Sequence, residues 1–356
     1  MPLAHRHPQK DRAHLEERAL RGWSRVVRRR ALPGRAHAAG PPETESGAAP
    51  LKLCAGITGL LLCASLYAGA QQPPPIHVDV RLVNVFVNVT DPAGAPVGGL
   101  AKDDFLLTQD GHPQTISYFE RQSEMPLSLV LAIDTSGSVQ KDLPLEKYAA
   151  HNFVHALLRP VDRLDLMDVN SDVREVVGFT SNLRRIDAGI ENLTTGPATA
   201  LYNAIWLASQ RLTPLSGRRV LVVISDGSNT VSGVDYQQAL EEAVRGEVMV
   251  YSLIDLPIVA DAGRDTGGEH ALIALSQETG GKYYYAEAGN LEKAFQKISE
   301  DLRTQYLIGY YPVRHSSFSD FHRISVTLKD PPQPPYTLRY RTGYYSAPAS
   351  VPEPPR

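Results

Sequence analysis

Between residues 127 and 303 the sequence alternates short apolar runs with amphipathic segments, and this alternation strongly constrains the fold. The apolar runs include "LSLVLAI" at 127–133 and "RRVLVVIS" at 218–225. Continuous apolar runs of this length are typical of strands that are buried on both faces. Strands that alternate with helices form a mostly parallel sheet with helices packed on both sides. We therefore predict a doubly wound α/β fold for this region.

The other elements of this region are predicted from the same two patterns. We expect further strands at 164–169, 174–179, 247–254 and 282–286, and helices near 145–158, 200–212, 236–244, 269–279 and 290–303.

The segments on either side of this region have the pattern of β-structure. Residues 77–90 alternate apolar and polar side chains, and "FLLTQDGHPQTISYF" at 105–119 is typical of a hairpin with its turn at Asp110-Gly111. After residue 305 the chain returns to strands, including "RISVTLK". Each flank has too few strands to close a core alone. We therefore predict one small all-β sandwich, formed by the N- and C-terminal strands, into which the α/β domain is inserted.

The sequence before residue 77 is predicted to lie outside these domains. Residues 1–50 hold 10 basic and 5 acidic side chains and no apolar periodicity, so we interpret them as a basic disordered leader or a start site placed too early. Residues 51–70 have a lysine before an apolar stretch and end in small residues, which is typical of a cleaved signal peptide. A membrane anchor is the alternative. The predicted boundaries that follow are 77–122 and 304–346 for the sandwich, 125–303 for the α/β domain and 347–356 for a disordered tail.

Charge and cysteine usage limit the compartment and the partners. Residues 71–356 carry a net charge of −9 without a basic stripe, which argues against nucleic acid as a partner. Both cysteines, Cys54 and Cys63, lie inside the predicted signal peptide, so the mature chain would have none. We expect an exported protein without a membrane span in its mature chain, located in the periplasm, on the cell surface or outside the cell.

Three separate stretches place polar oxygen groups where they could meet. Asp134, Ser136 and Ser138 follow the strand at 127–133, Asp226 follows the strand at 218–225, and Thr199 leads into a helix. Ligands of a doubly wound sheet bind beyond the carboxyl ends of its strands. Carboxylate and hydroxyl oxygens are hard ligands that suit Mg²⁺ or Mn²⁺.

These stretches resemble the von Willebrand factor type A (VWA) domain and its metal-ion-dependent adhesion site. The D-x-S-x-S motif of that family corresponds to Asp134, Ser136 and Ser138. Its threonine corresponds to Thr199 in "PATALYNA", and its second aspartate to Asp226 in "VISDG". The resemblance covers about residues 125–303 and implies the VWA fold, with these five residues as the metal ligands.

Two positions depart from the pattern of the family, although neither is a ligand. Pro197-Ala198 stands where a glycine usually precedes the threonine, and Asn203 replaces an aspartate of the following helix. In the family, the hydroxyls bind the metal directly and the aspartates often act through water. The resemblance therefore implies Mg²⁺, with Mn²⁺ or Ca²⁺ also possible, and a protein partner whose exposed Asp or Glu completes the coordination.

Other functions remain open at this point. A metal-dependent hydrolase or phosphatase with an aspartyl nucleophile would need a second acid two residues after Asp134, where Ser136 stands. A purely structural module of the cell envelope is a further alternative. In "HNFVH", His151 and His155 lie one turn apart, but Asn152 occupies the position of the catalytic glutamate of zincins. We therefore expect them to be ordinary helix histidines.

Overall fold

A computed structural model of the 356-residue chain describes residues 82–121, 124–137, 143–255, 266–286, 291–312 and 321–346. The predicted leader, signal peptide and C-terminal tail lie outside these residues, and so does Ser138. All of these described residues belong to one compact unit.

The described elements follow the predicted order closely. The strands are β1 (Val83–Thr90), β2 (Phe105–Gln109), β3 (His112–Gln114), β4 (Ile116–Glu120), β5 (Leu127–Asp134), β6 (Arg163–Val169), β7 (Val173–Thr180), β8 (Arg218–Ser225), β9 (Met249–Asp255), β10 (Tyr283–Ala286), β11 (Tyr306–Tyr310), β12 (Phe321–Leu328), β13 (Thr337–Arg339) and β14 (Gly343–Tyr345). The helices are α1 (Leu143–Leu157), α2 (Leu183–Glu191), α3 (Leu201–Leu212), α4 (Tyr236–Arg245), α5 (Thr266–Glu278) and α6 (Leu291–Arg303).

The central sheet has six strands in the order β10-β9-β8-β5-β6-β7. The pairs from β10 to β6 are parallel, and β7 joins the edge antiparallel to β6. Strand β5 lies inside the sheet, and all eight of its residues are buried. The carboxyl ends of β5 and β8 are therefore neighbours at the same edge of the sheet.

Helices cover both faces of this sheet, which confirms the predicted doubly wound α/β fold. Alternate residues of β5 face opposite layers: Leu131 belongs to the apolar cluster that includes α1, α2 and α6, and Ala132 belongs to the cluster that includes α3, α4 and α5. In the first layer, the rings of Phe153 and Phe295 stack with their centroids 4.3 Å apart. This double burial explains why β5 contains an uninterrupted apolar run.

Strands from both flanks form the predicted β-sandwich. One four-stranded sheet has the order β13-β1-β11-β4 and the other has the order β14-β12-β2-β3. Each sheet thus combines strands from before and after the α/β region. Their shared core contains Val83, Val85, Val87 and Val89 from β1 and Ile324, Val326 and Leu328 from β12.

The predicted hairpin at 105–119 is confirmed only in its first part. Asp110 and Gly111 both have positive φ angles, of 51° and 79°, and join β2 to β3. The chain then crosses to the other sheet, where β4 pairs with β11. The hairpin therefore connects the two layers of the sandwich.

Buried polar side chains attach the sandwich to the amino end of the central sheet. The Asn88 amide donates to the Asp301 carbonyl at 3.0 Å, and the Gln305 amide donates to the Asn88 side-chain oxygen at 2.9 Å. Arg339 forms an ion pair with Asp301 at 2.7 Å. Helix α6 ends beside the amino ends of the central strands. The sandwich therefore lies at the amino end of the central sheet, opposite its carboxyl edge.

One helix is missing from the sequence prediction. Helix α2 follows Asn182, whose side chain caps it by accepting from the Arg185 amide at 3.3 Å. Ile186 and Ile190 bury its apolar face against the first layer. None of the helices in the described part of the chain has the length and apolar composition needed to span a bilayer.

Candidate metal centre

Asp134 is the last residue of β5 and the most deeply buried acid of the candidate site. It is 1 % exposed. Its Oδ1 accepts from the Ser136 amide at 2.9 Å, and its Oδ2 accepts from the Ser225 hydroxyl at 2.7 Å. All these donors are neutral, and no ion pair involves Asp134 within the described residues. The carboxylate is thus fixed in orientation while its charge stays uncompensated.

The electrostatic surroundings of Asp134 favour its neutral form. Burial raises the pKa of Asp134 to about 6, against the opposing effect of the hydrogen bonds from Ser225 and Ser136. The carboxylate of Asp226 raises this pKa further, by less than burial does. A bound cation would stabilise the ionised form that burial penalises.

Backbone contacts join the Asp134 loop to the loop that carries Thr199. Ser136 forms a parallel bridge with Gly196, and the Gly196 amide donates to the Thr135 carbonyl at 2.9 Å. A Cβ on Gly196 would lie 2.7 Å from the Cβ of Asn170, so only glycine fits there without a shift. The close approach of these two loops places Ser136 beside the segment that leads to Thr199.

Thr199 is fixed in turn by the loop that follows β8. Its amide donates to the Thr230 hydroxyl at 2.9 Å, and its carbonyl accepts from the Thr230 amide at 2.9 Å. The residue is 2 % exposed. Its own side-chain hydroxyl makes no hydrogen bond within the described residues, so this oxygen is available to a ligand.

Asp226 follows β8 on a tightly packed turn. Its Oδ1 accepts from the Ser228 amide at 2.8 Å, and the residue is partly exposed. The next residue, Gly227, has a φ of +88°, and a Cβ there would lie 2.7 Å from the carbonyl carbon of Gly268 in α5. The first turn of α5 therefore sets the position of the Asp226 loop.

Asn203 performs a structural task at the position where it departs from the VWA pattern. Its side-chain oxygen accepts from the amides of Gly233 and Val234, at 2.9 and 3.1 Å. An aspartate would offer the same acceptor, so the asparagine preserves the connection between α3 and the loop after β8.

Several residues of this edge are absent from the sequence prediction. Ser225 orients Asp134, and Thr230 connects Thr199 to the Asp226 loop. Glu269 is 5 % exposed on α5 and accepts from the Tyr285 hydroxyl at 2.5 Å. Ser225 could have been suspected because it directly precedes Asp226. An acid in the first turn of a helix normally indicates only a favourable interaction with the helix dipole. Glu269 could therefore not be recognised from the sequence as a residue of this site.

Four of the five predicted ligands thus lie at the end of β5 or on loops that contact one another at the same edge of the sheet. They are Asp134, Ser136, Thr199 and Asp226. The fifth, Ser138, is outside the described residues. Two carboxylates and two hydroxyls are hard oxygen donors, and this donor set fits Mg²⁺ better than a softer metal.

Comparison with a family model defines the class of this domain. Residues 129–229 match the model of the von Willebrand factor type A domain. The match contains Asp134, Thr199 and Asp226. The chain therefore contains a VWA domain.

Solved structures that are similar to this chain include three proteins from bacteria. BatB from Bacteroides thetaiotaomicron is 22 % identical over 50 % of this chain and 100 % of its own, with a TM-score of 0.40. A von Willebrand factor type A protein from Catenulispora acidiphila is 10 % identical over 74 % of this chain and 73 % of its own, with a TM-score of 0.45. The pilus adhesin SpaC from Lactobacillus rhamnosus GG is 11 % identical over 71 % of this chain and 44 % of its own, with a TM-score of 0.43. No curated protein matches the chain.

Proposed function

We propose that this protein is an exported, metal-dependent protein-binding module. In this proposal Asp134, Ser136, Ser138, Thr199 and Asp226 hold Mg²⁺, for which Mn²⁺ or Ca²⁺ could substitute. The observation that carries the proposal is the meeting of three separate loops at the carboxyl edge of one sheet, around a buried carboxylate that has no cationic partner among the described residues. Export depends on the segment 51–70, which lies outside the described residues.

The residues of the site have different tasks in binding. Ser225 and the Ser136 amide hold the Asp134 carboxylate in one orientation, and Thr230 holds the Thr199 backbone. When bound, Mg²⁺ supplies an open coordination position that attracts a carboxylate oxygen of a partner protein. The partner of this proposal therefore presents an exposed Asp or Glu.

Selection of random displayed peptides on the full chain in Mg²⁺ tests this function. We expect the selected peptides to be enriched in Asp or Glu and to be released by EDTA, because their carboxylate would complete the metal coordination. Exchange of that acid for its amide should abolish binding.

The control is a parallel selection on the Asp134→Ala variant, which should yield no EDTA-sensitive binders. Peptides that bind equally well with EDTA, or that lack a required acid, would contradict the proposal. Turnover of p-nitrophenyl phosphate or acetate by the wild type but not by this variant would instead support the hydrolase.

A further inference from the structure

A second group of potential metal ligands lies on the layer that contains α1 and α2, away from the carboxyl edge. His151 and His155 are one turn apart on α1, and Asp187 faces them from α2. The side chains of the two histidines are 45 % and 40 % exposed, and that of Asp187 is 27 % exposed. This His-His-Asp cluster is therefore accessible to a metal ion from solvent.

The two imidazole rings are arranged so that they approach the same carboxylate. The rings stack with centroids 4.4 Å apart and an angle of 17° between their planes. The Nε2 atoms of His151 and His155 lie 3.4 and 3.0 Å from Oδ1 of Asp187. Two nitrogens and one carboxylate oxygen thus converge on a small volume at the surface.

The spacing of these atoms agrees with metal coordination. In a tetrahedral zinc site with bonds of about 2.0 to 2.1 Å, neighbouring ligand atoms are roughly 3.3 Å apart. All three ligand atoms of the cluster lie within 4.8 Å of one another. Coordination would therefore need only small side-chain rotations, and the backbones of α1 and α2 could stay in place.

The composition of the cluster selects the class of metal. Imidazole nitrogens bind late first-row dications far better than they bind Mg²⁺ or Ca²⁺. We infer that His151, His155 and Asp187 form a site for such a dication. Zn²⁺ is the member of this class with which the site is tested. Three protein ligands leave one tetrahedral position for water or for a donor from another molecule.

The bound metal would connect two helices that are separate in the sequence. Without a metal, the cluster offers only hydrogen bonds between exposed groups, which contribute little to stability. Zn²⁺ that binds only the folded chain would stabilise it by mass action. This role is independent of the Mg²⁺ site, because the two sites share no residue.

Zinc titration of the full chain, purified without a histidine tag, tests the site. Calorimetry measures the binding of Zn²⁺ under two conditions: in excess Mg²⁺, and in the Asp134→Ala background. In both conditions the Mg²⁺ site does not contribute to the signal. We expect the His151→Ala/His155→Ala double variant to lose one equivalent of bound Zn²⁺. Asp187→Asn should weaken the binding of this Zn²⁺ equivalent, with a Kd that rises about tenfold or more.

The matched control is His112→Ala, which removes an exposed histidine of the β-sandwich and should leave the equivalent intact. The melting temperature should rise with Zn²⁺ in the wild type and less in the double variant, whereas both should melt alike in EDTA. Equal Zn²⁺ stoichiometry and affinity in the wild type and the double variant would refute the site.

Discussion

Replacement of Asp134 by alanine should abolish Mg²⁺ binding. The side chain is buried at the end of β5, and its carboxylate accepts hydrogen bonds from the Ser136 amide and the Ser225 hydroxyl. Without this carboxylate, Asp226 would be the only charged group among the proposed ligands. Isothermal titration of both proteins with Mg²⁺ measures the effect directly. At a Mg²⁺ concentration of about 100 times Kd, the wild type should gain about 2.7 kcal/mol of unfolding free energy and the variant none.

Two further variants separate loss of the site from other effects. Asp134→Asn keeps the shape of the side chain and should also lose Mg²⁺ binding, which distinguishes the charge from packing. Asp172→Asn removes an exposed acid from the turn that follows β6, at the same edge of the sheet, and should bind like the wild type. Mg²⁺ binding that persists in Asp134→Ala would exclude this residue as a ligand.

Replacement of Gly268 by alanine should damage both stability and metal affinity. An added Cβ would overlap the carbonyl oxygen of Gly227, one residue after Asp226. Overpacking of this kind costs about 1 to 3 kcal/mol of unfolding free energy. Because the Asp226 loop must move to relieve the overlap, we expect Mg²⁺ to bind about tenfold more weakly. Urea unfolding and calorimetry measure the two effects.

Gly99→Ala is the matched control for this substitution. A Cβ on Gly99 would meet nothing within 4 Å in the described structure, so the same chemical change should leave metal affinity unaltered. If Gly268→Ala destabilised the protein without a change in Mg²⁺ affinity, the contact between α5 and the Asp226 loop would not position the site.

Local sequence patterns predicted the parts of this molecule that depend on local chemistry. The uninterrupted apolar run of β5 indicated a strand buried on both faces, and the acid directly after it marked the carboxyl edge. Asp110-Gly111 indicated a tight turn because both residues tolerate positive φ angles. The two flanks were predicted to share one sandwich because neither could close a core alone.

Contacts between distant residues could not be predicted in the same way. Helix α2 is short, and the asparagine that caps it at position 182 is equally typical of turns, so the sequence gives no clear start signal for this helix. The hydrogen bonds of Asn88 with Asp301 and Gln305 join residues that are more than two hundred positions apart in the sequence. No local sequence pattern predicts such contacts. Asp187 is a similar case, because only the packing of α2 on α1 places it beside the two histidines.

Anomalous scattering from crystals grown with Mn²⁺ tests the central claim most directly. The account expects one strong peak at the carboxyl edge of the sheet, bound directly or through water by the oxygens of Asp134, Ser136, Thr199 and Asp226. The absence of a peak at this edge, or a peak there that Thr199 and Asp226 do not contact, would contradict it.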